Sequence, residues 1–423
     1  MDADDLTRPH HRPRTAAVQH GTRGARRALA VLAAAAVLGG IAGCGTAREQ
    51  DAERGGGPEA GRQAQARAEA QRDGERTGAA RRGFSLVATG DLLVHDSIIR
   101  QARADAGGSG YDFSRMIAAA GPMARGADLA ICHMETVYGP DGGPFSGYPL
   151  FKTPPQLARS VKKLGYDSCS TASNHTLDAG SEGVTRTLDA MDAVGLKHAG
   201  SARSRAESTK PTLMRAGDAK VAQLAYTYGT NGISLPQNKP WLVNLIEPER
   251  IIADARAARR AGADVVVASM HWGTEWQQEP DSLQRSVARK LTASRSQGRR
   301  DIDLILGTHA HVPQAYEKVN GTWVVYGMGD QIAGKMNDPR GTMGSAARFR
   351  FAPPKKRGSG EWTVQKAEFT PYLMQTSPRH TLINLAGKAS RNAGDAEQDK
   401  AYDTIRGAVL SRGAANDGLR MTP

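Results

Sequence analysis

Short apolar runs alternate with helical patterns through most of this chain, and most of the runs end in a cluster of polar side chains. The runs are residues 85–89, 128–132, 167–171, 221–226, 264–269, 303–306 and 323–326, and the helical patterns between them are 114–125, 156–164, 181–194, 248–260 and 282–294. Short apolar runs are typical of buried strands, and strands that alternate with helices are typical of an α/β domain. Because sites in α/β sheets form at the carboxyl ends of strands, we expect the polar clusters to meet there.

The histidines follow the same pattern. The sequence contains 11 histidines, three of them within the first 20 residues. Six of the other eight follow a predicted strand, namely His95, His133, His175, His271, His309 and His311. Imidazole nitrogens combined with Asp, Glu and Asn oxygens suit Mn, Fe or Zn better than an all-oxygen Mg or Ca site. So many ligands predict two divalent ions, an arrangement that activates water and binds a phosphoryl or acyl oxygen.

The pair His309 and His311 has the most regular spacing. Both follow the predicted strand 303–306 and are separated by one residue. Since residues i and i+2 of an extended segment point the same way, we expect both rings to leave the strand end on one side.

The N-terminus has the features of an export signal. Arg23, Arg26 and Arg27 precede the apolar run 28–38, which is too short for a stable membrane anchor and fits the core of a signal peptide. Small residues then precede Cys44, a pattern that resembles a bacterial lipobox. We therefore expect residues 1–43 to be a lipoprotein signal peptide and lipid on Cys44 to anchor the protein to the outer face of the cytoplasmic membrane. Ordinary secretory cleavage is the alternative, and the choice between Sec and Tat export is open.

Composition divides the remainder of the chain. Residues 44–83 lack aromatic side chains and are rich in Gly, Ala, Glu, Gln and Arg, so we expect a disordered tether. Residues 84–385 should form the α/β domain. Residues 386–423 become polar again, and we expect a C-terminal tail with a candidate helix at 399–410.

Charge and cysteines restrict the partners less. The formal charge of +13 fits either association with anionic polymers and membranes or a solvated basic surface. Nucleic acid is a poor candidate, because export would remove that partner and no recognised motif is present. Cys132 and Cys169 could form a disulfide in an exported domain or remain buried thiols, and the sequence leaves both open.

Several sequence blocks together resemble one family. The blocks are Gly90-Asp91, Glu135-Thr136, 151–155, 172–180, 183–188, 271–275 and 307–314 with Glu317. In this order and spacing they resemble the CapA family, named for poly-γ-glutamate capsule synthesis, from about Ser85 to Ala333. That family's fold is related to calcineurin-like metallophosphoesterases. The resemblance implies a calcineurin-like metallophosphoesterase fold with two packed β-sheets flanked by helices.

The same resemblance implies which side chains hold two metal ions. At the first ion it implies Asp91 and His311, with His95 standing in for an early histidine ligand. At the second ion it implies Asn174, His271 and His309. Glu135 takes the position of the bridging carboxylate.

Other side chains would act beside the ions. The resemblance gives His175 the role of general acid, and Asp178 would hold His175 in its working tautomer. The chain departs from the family pattern at His133, an additional ligand, a substrate contact or a structural residue, and at Asp330, which either adds charge near the metals or occupies a turn. Glu275 is a further candidate site residue. The loop 138–155 either covers the site or is a plain surface loop.

These features favour a metal-dependent hydrolase outside the cytoplasm, lipid-anchored, that cleaves a phosphoester or amide. By resemblance, its substrate would be an anionic envelope polymer such as poly-γ-glutamate. The alternative is a non-catalytic accessory subunit that holds or exports the polymer beside a membrane synthase.

Overall fold

The computed structural model describes residues 82–355, 360–387 and 395–422. The predicted signal peptide, Cys44 and nearly all of the predicted tether lie outside the described residues. Within these three ranges, no helix has the length and apolar character needed to cross a membrane.

Strands and helices alternate in the first part of the fold, and strands dominate the second. The strands are β1 Phe84–Leu92, β2 Leu129–His133, β3 Ser168–Ser170, β4 Lys197–Ala199, β5 Thr212–Ala216, β6 Ala219–Thr227, β7 Val265–His271, β8 Arg295–Ser296, β9 Arg299–Arg300, β10 Leu304–Thr308, β11 Tyr316–Val319, β12 Thr322–Val325, β13 Asp330–Ile332, β14 Met343–Ala352, β15 Thr363–Gln375, β16 Thr381–Asn384 and β17 Leu419–Met421. The helices are α1 Asp96–Asp105, α2 Gly121–Arg125, α3 Gln156–Leu164, α4 Gly180–Ala193, α5 Arg205–Ser208, α6 Pro248–Arg260, α7 Ser282–Ala293 and α8 Ala396–Leu410, with 3-10 turns at Ala118–Ala120 and Pro339–Thr342.

Two sheets contain nearly all of these strands. The larger has the order β16-β15-β14-β1-β2-β3-β4, with β13 also beside β1 and β17 beside β15. Strands β1 to β4 are parallel, and β13 is parallel to β1. The smaller sheet has the order β11-β12-β10-β7-β6-β5, in which β12, β10, β7 and β6 are parallel. Strands β8 and β9 form a separate short hairpin.

The sheets pack face to face because each central strand is apolar on both sides. In β2, Leu129 and Ile131 join the core between the sheets, whereas Ala130 and Cys132 pack under helices α1 and α3. Strand β7 alternates in the same way, with its other face under α6 and α7. Parallel strands buried on both faces have nearly continuous apolar sequences, as these do. The predicted α/β architecture of two packed sheets flanked by helices is confirmed.

One predicted helix is wrong in its extent. The pattern at 114–125 predicted one continuous helix, but the chain forms a 3-10 turn at Ala118–Ala120 and then the short helix α2. Pro122 occupies the start of α2, because its missing N–H is tolerated in a first turn but not in a helix interior.

The C-terminal segment packs onto the larger sheet rather than lying apart from it. The candidate helix at 399–410 is part of α8, whose buried side chains Ala401, Ile405 and Val409 join the core between the sheets. Strand β17 then pairs with β15. Cys132 and Cys169, directly opposite each other on β2 and β3, form a disulfide, which resolves the alternative that the sequence left open.

Candidate metal centre

Asp91 lies at the end of β1, where the two sheets meet. A Cβ on the preceding residue, Gly90, would lie 1.7 Å from the carbonyl oxygen of Gly329, so only glycine allows this close approach. Asp91 is fully buried, and its Oδ2 accepts a hydrogen bond from the backbone N–H of His309 at 3.1 Å. Its other oxygen, Oδ1, has no hydrogen-bond partner among the described residues.

Two histidines approach this unpaired oxygen, one from each sheet. His133 at the end of β2 places Nε2 3.5 Å from Asp91 Oδ1, and His271 at the end of β7 places Nδ1 3.8 Å away. Their rings stack with centroids 4.6 Å apart. Ser170 fixes the first ring, because its hydroxyl lies 2.7 Å from His133 Nδ1, and the hydroxyl of Thr308 lies 3.0 Å from His271 Nδ1.

Glu135 and Asp330 add two buried carboxylates. Glu135 Oε1 lies 3.9 Å from His271 Nε2 and 3.7 Å from His311 Nε2, so this carboxylate stands between two imidazoles. Asp330 begins β13, opposite Asp91, and its Oδ1 lies 2.9 Å from His311 Nδ1. Asp91, His133, Glu135, His271 and His311 thus form a buried cluster. The Asp330 side chain belongs to this cluster and does not occupy an exposed turn.

His309 completes the cluster on its open side. Its ring centroid lies 4.7 Å from that of His271 and 5.9 Å from that of His311. The exposed carboxylate of Glu275 can approach both His309 and His311, since one ligand atom from each of the three lies within 4.8 Å of the others. The ring of Tyr228 covers His309 with centroids 4.4 Å apart.

Asn174 and His175 follow β3 and reach the same cluster. Asn174 Oδ1 lies 2.8 Å from His271 Nε2. His175 Nδ1 lies 2.7 Å from Asp178 Oδ2, and the same oxygen accepts the backbone N–H of Phe151 at 2.8 Å. The Phe151 ring packs edge-on against His175, so the loop 138–155 does border the site.

His95 is placed differently from the other predicted ligands. Its Nδ1 accepts a hydrogen bond from the backbone N–H of Gly334 at 3.0 Å, and its ring packs against Phe151. Among the described residues, it belongs to none of the groups whose atoms converge closely enough to hold an ion.

Burial determines the protonation of the cluster. It raises the pKa of Asp91 to about 8, with Asp330 adding to the effect, and raises the pKa of Glu135 well above its usual value. It lowers the pKa of His133 and of His309 to about 3, because the charged imidazolium is poorly solvated there. Most of these rings are therefore neutral, as metal ligands must be.

His311 is the exception among the rings. Burial lowers its pKa, but Asp330 and Glu135 outweigh that effect and raise the pKa well above its usual value. A proton on His311 therefore offsets part of the negative charge of the surrounding carboxylates. A bound cation would offset the same charge.

The residues present fit divalent metal ions. Six buried atoms of the cluster have no hydrogen-bond partner in the described part of the chain, namely Asp91 Oδ1, His133 Nε2, Glu135 Oε1 and Oε2, His309 Nδ1 and Asp330 Oδ2. Leaving such atoms unpaired in a protein interior is costly, and a bound cation would satisfy them. Three groups have convergent ligand atoms, namely Asp91–His133–His271, Asp91–Glu135–His311–Asp330 and Glu275–His309–His311. Such nitrogen and oxygen donors suit Mn, Fe or Zn.

The structure brings together most of the side chains that the sequence singled out. Of the predicted ligands, only His95 lies apart, while the additional candidates His133, Asp330 and Glu275 lie within the cluster. Their individual roles stay predictions. No sequence pattern singles out Tyr228 or Asn231, which come from an irregular loop. The same is true of Ser170 and Thr308, whose hydroxyls hold the histidine rings.

Fold and site together define an α/β protein with a candidate polynuclear metal centre at the carboxyl ends of strands from two packed sheets. Residues 85–335 match the family model described as bacterial capsule synthesis protein PGA_cap. The chain therefore belongs to this family, and the resemblance to CapA proteins is confirmed.

Curated relatives carry names from the same process. The PGA biosynthesis protein CapA of Bacillus subtilis strain 168 is 25% identical over 256 residues, which are 59% of this chain and 64% of the relative. A probable polyglutamine synthesis accessory protein of Mycobacterium tuberculosis strain H37Rv is 25% identical over 218 residues, covering 48% and 55% of the two chains. This chain thus spans less than two thirds of the length of either relative.

Solved structures give more distant likenesses. The calcineurin-like phosphoesterase YfkN from Bacillus subtilis aligns with a TM-score of 0.40 and 15% identity, covering 78% of this chain and 98% of that chain. The chemistry of the site is therefore inferred from its own geometry.

Proposed function

We propose that this protein is a metal-dependent hydrolase of an anionic cell-envelope polymer such as poly-γ-glutamate. The observation that carries the proposal is the buried set of ligand atoms that have no partner among the described residues, together with the His175–Asp178 pair, which follows Asn174 in the chain. Membership of a capsule synthesis family supports the choice of polymer. The bond cleaved would be an amide or a phosphoester.

Eight side chains would hold the ions, namely Asp91, His133, Glu135, Asn174, His271, His309, His311 and Asp330. Glu275 stands at the open side, where it can complete the set. A bound divalent ion polarises the carbonyl or phosphoryl oxygen of the substrate and so favours attack by water.

His175 would supply a proton to the leaving group. With its Nδ1–H donating to Asp178, the other ring nitrogen, Nε2, accepts a proton and later releases it. The Asp178 carboxylate orients the ring and stabilises the imidazolium while the proton is held. Phe151 packs against the ring and excludes water from that side.

The location belongs to the same proposal. An export signal and lipid on Cys44 would place the domain on the outer face of the cytoplasmic membrane, where envelope polymers are assembled. The support is the sequence around Cys44. Detergent partitioning of the protein expressed in a bacterium checks this point. The wild type should enter the detergent phase, and the Cys44→Ala variant should not.

A comparison of His175→Ala with His380→Ala tests catalysis. The purified protein is loaded with Mn²⁺ or Zn²⁺ and assayed on phosphodiesters, γ-glutamyl amides and poly-γ-glutamate. We expect His175→Ala to keep its metal content and to lose activity by a factor of about 10²–10⁴, the usual contribution of a general acid. His380 lies outside the cluster, so its variant should match the wild type.

A non-catalytic accessory role is the second candidate, supported by the name of the Mycobacterium tuberculosis relative. Such a subunit would hold or export the polymer beside a membrane synthase. The wild type and the His175→Ala variant could both be inactive across the panel and yet bind the polymer. This result would favour the accessory role over hydrolysis.

A further inference from the structure

The loop that follows β6 lies directly over the metal cluster. The backbone N–H of Tyr228 donates to the carbonyl oxygen of His271 at 3.0 Å, which fixes the start of the loop to the end of β7. The Tyr228 ring then covers His309, although the residue is 42% exposed. This loop therefore forms one wall of the site.

Asn174 has a specific requirement that this loop can meet. Its side-chain amide has an oxygen that can bind a cation and an NH₂ group that cannot, so the amide must face the cluster in one orientation. Asn174 Oδ1 points to His271, at 2.8 Å from Nε2. Asn174 Nδ2 donates to Asn231 Oδ1 at 3.2 Å. A flipped amide would set its oxygen against Asn231 Oδ1, so the bond to Asn231 favours the correct orientation over the flipped one.

The backbone presents Asn231 for this contact. Asn231 has a φ of 50°, in the left-handed region that asparagine tolerates better than most residues. The turn around it is closed by the backbone N–H of Ile233, which donates to Thr230 at 2.9 Å, and by the Thr230 hydroxyl, which donates to the Ile233 carbonyl at 2.7 Å. The acceptor is therefore held in place before any ion binds.

We propose that Asn231 is a positioning residue that holds the amide oxygen of Asn174 toward the metal ions. The proposal rests on the metal-binding part of the proposed function. Partners that orient a metal ligand typically contribute a factor of about 10–100 to metal affinity. Removal of the Asn231 side chain should therefore lower the affinity for one ion by that factor and leave the affinity for the other ion unchanged.

The test compares Asn231→Gly with Asn320→Gly in the otherwise intact protein. Asn320 is exposed and has a φ of 49°, and its side-chain NH₂ donates to the Arg289 carbonyl and the Thr292 hydroxyl, neither of which belongs to the cluster. Glycine keeps the left-handed backbone at both positions, so the comparison isolates the loss of the Asn231 side chain, whose Oδ1 accepts from Asn174 Nδ2 and, at 3.4 Å, from the Tyr228 hydroxyl. Calorimetric titration with Mn²⁺ measures the affinity of each ion, and thermal unfolding of the metal-free proteins checks that both fold.

A third variant, Asn231→Asp, keeps an acceptor for the Asn174 NH₂ group. It is titrated in about 1 M salt, where the Debye length of about 3 Å screens the added charge. We expect Asn231→Asp and Asn320→Gly to bind Mn²⁺ like the wild type, and Asn231→Gly to bind one ion 10–100-fold more weakly.

The outcomes separate the two proposals. Wild-type affinity in Asn231→Gly overturns the positioning role and leaves the metal centre intact. Equal weakening in Asn231→Gly and Asn231→Asp also overturns the role, because the acceptor would then be irrelevant. A wild-type protein that binds no divalent ion overturns the proposed function and the positioning role together.

Discussion

His309 and His311 reach the candidate metal centre from left-handed backbone, with φ of 94° and 53°. Strand β10 ends at Thr308, so the expected i, i+2 alternation of an extended segment is wrong as the reason for their convergence. The chain turns instead, and the turn brings the rings to 5.9 Å between centroids. Non-glycine residues in this region carry a local energetic cost and often occur at functional sites.

The sequence predicts which polar side chains lie at the ends of strands, but it does not predict the contacts that loop residues make. His133 and His271 follow apolar runs, and the parallel sheets bring their strand ends together. Tyr228 and Asn231 have no such pattern, because their loop has no regular period and its path depends on the completed fold. His95 also follows a strand, yet the backbone N–H of Gly334 occupies its Nδ1.

Among single-residue changes, Asp178→Asn should impair the proposed catalysis and leave the metal content unchanged. The Asp178 carboxylate oxygen Oδ2 accepts from both His175 and Phe151, and an asparagine oxygen in its place could accept the same two bonds. The asparagine carries no negative charge, so it cannot stabilise the His175 imidazolium. We expect activity to fall by a factor of about 10–100 or more, with metal content and KM little changed. Steady-state kinetics with metal analysis measures both. A fall in metal content equal to the fall in activity would contradict the assignment.

Among the elements, the hairpin of β14 and β15 is absent from the strands that the sequence predicts. Its signal was present, because Phe349 and Phe351 alternate with Arg348 and Arg350, as in a strand with one buried face. The central parallel strands were predicted because they are apolar on both faces. Their exact ends were not, since polar residues such as His133 and His271 belong to the strands that they end.

Two glycine substitutions should change stability in opposite directions. Gly90→Ala would place a Cβ against the Gly329 carbonyl between β1 and β13, and overpacking of this kind costs about 1–3 kcal/mol or more. Gly407 is an exposed residue of α8 with open space around it, so Gly407→Ala should stabilise the protein by about 0.5–1 kcal/mol. Urea unfolding measures both changes. A shift of the two midpoints in the same direction would contradict these contacts.

At the level of the whole fold, the cluster is a region where buried polar atoms have no partner among the described residues while apolar cores surround it. A ligand that binds only the folded state stabilises that state by an amount set by its concentration and affinity. The metal ions should therefore act as structural ligands of both sheets, because Asp91 and His133 belong to the larger sheet and His271 to the smaller one.

Metal loading should accordingly raise the thermal stability of the protein. At a Mn²⁺ concentration of about 100 times its Kd, the expected gain is about 2.7 kcal/mol for one site. Ca²⁺ should give a smaller shift, because the site offers imidazole nitrogens rather than an all-oxygen set. Differential scanning calorimetry of metal-free and loaded protein measures the shift. Identical transitions with Mn²⁺, Zn²⁺ and Ca²⁺ would contradict the assignment.

The position of β1 in the larger sheet determines when this strand can pair during synthesis of the chain. This strand is the first of the described fold, yet it pairs with β13 and β14, and the bonded side chains of Thr89 and Gln331 are 242 residues apart in sequence. Long-range pairing of this kind makes folding slow, because the chain must close large loops before it gains contacts. The candidate metal centre is incomplete until Asp330 of β13 has been synthesised, so we expect a nascent chain to bind metal late, when most of the protein has already been made.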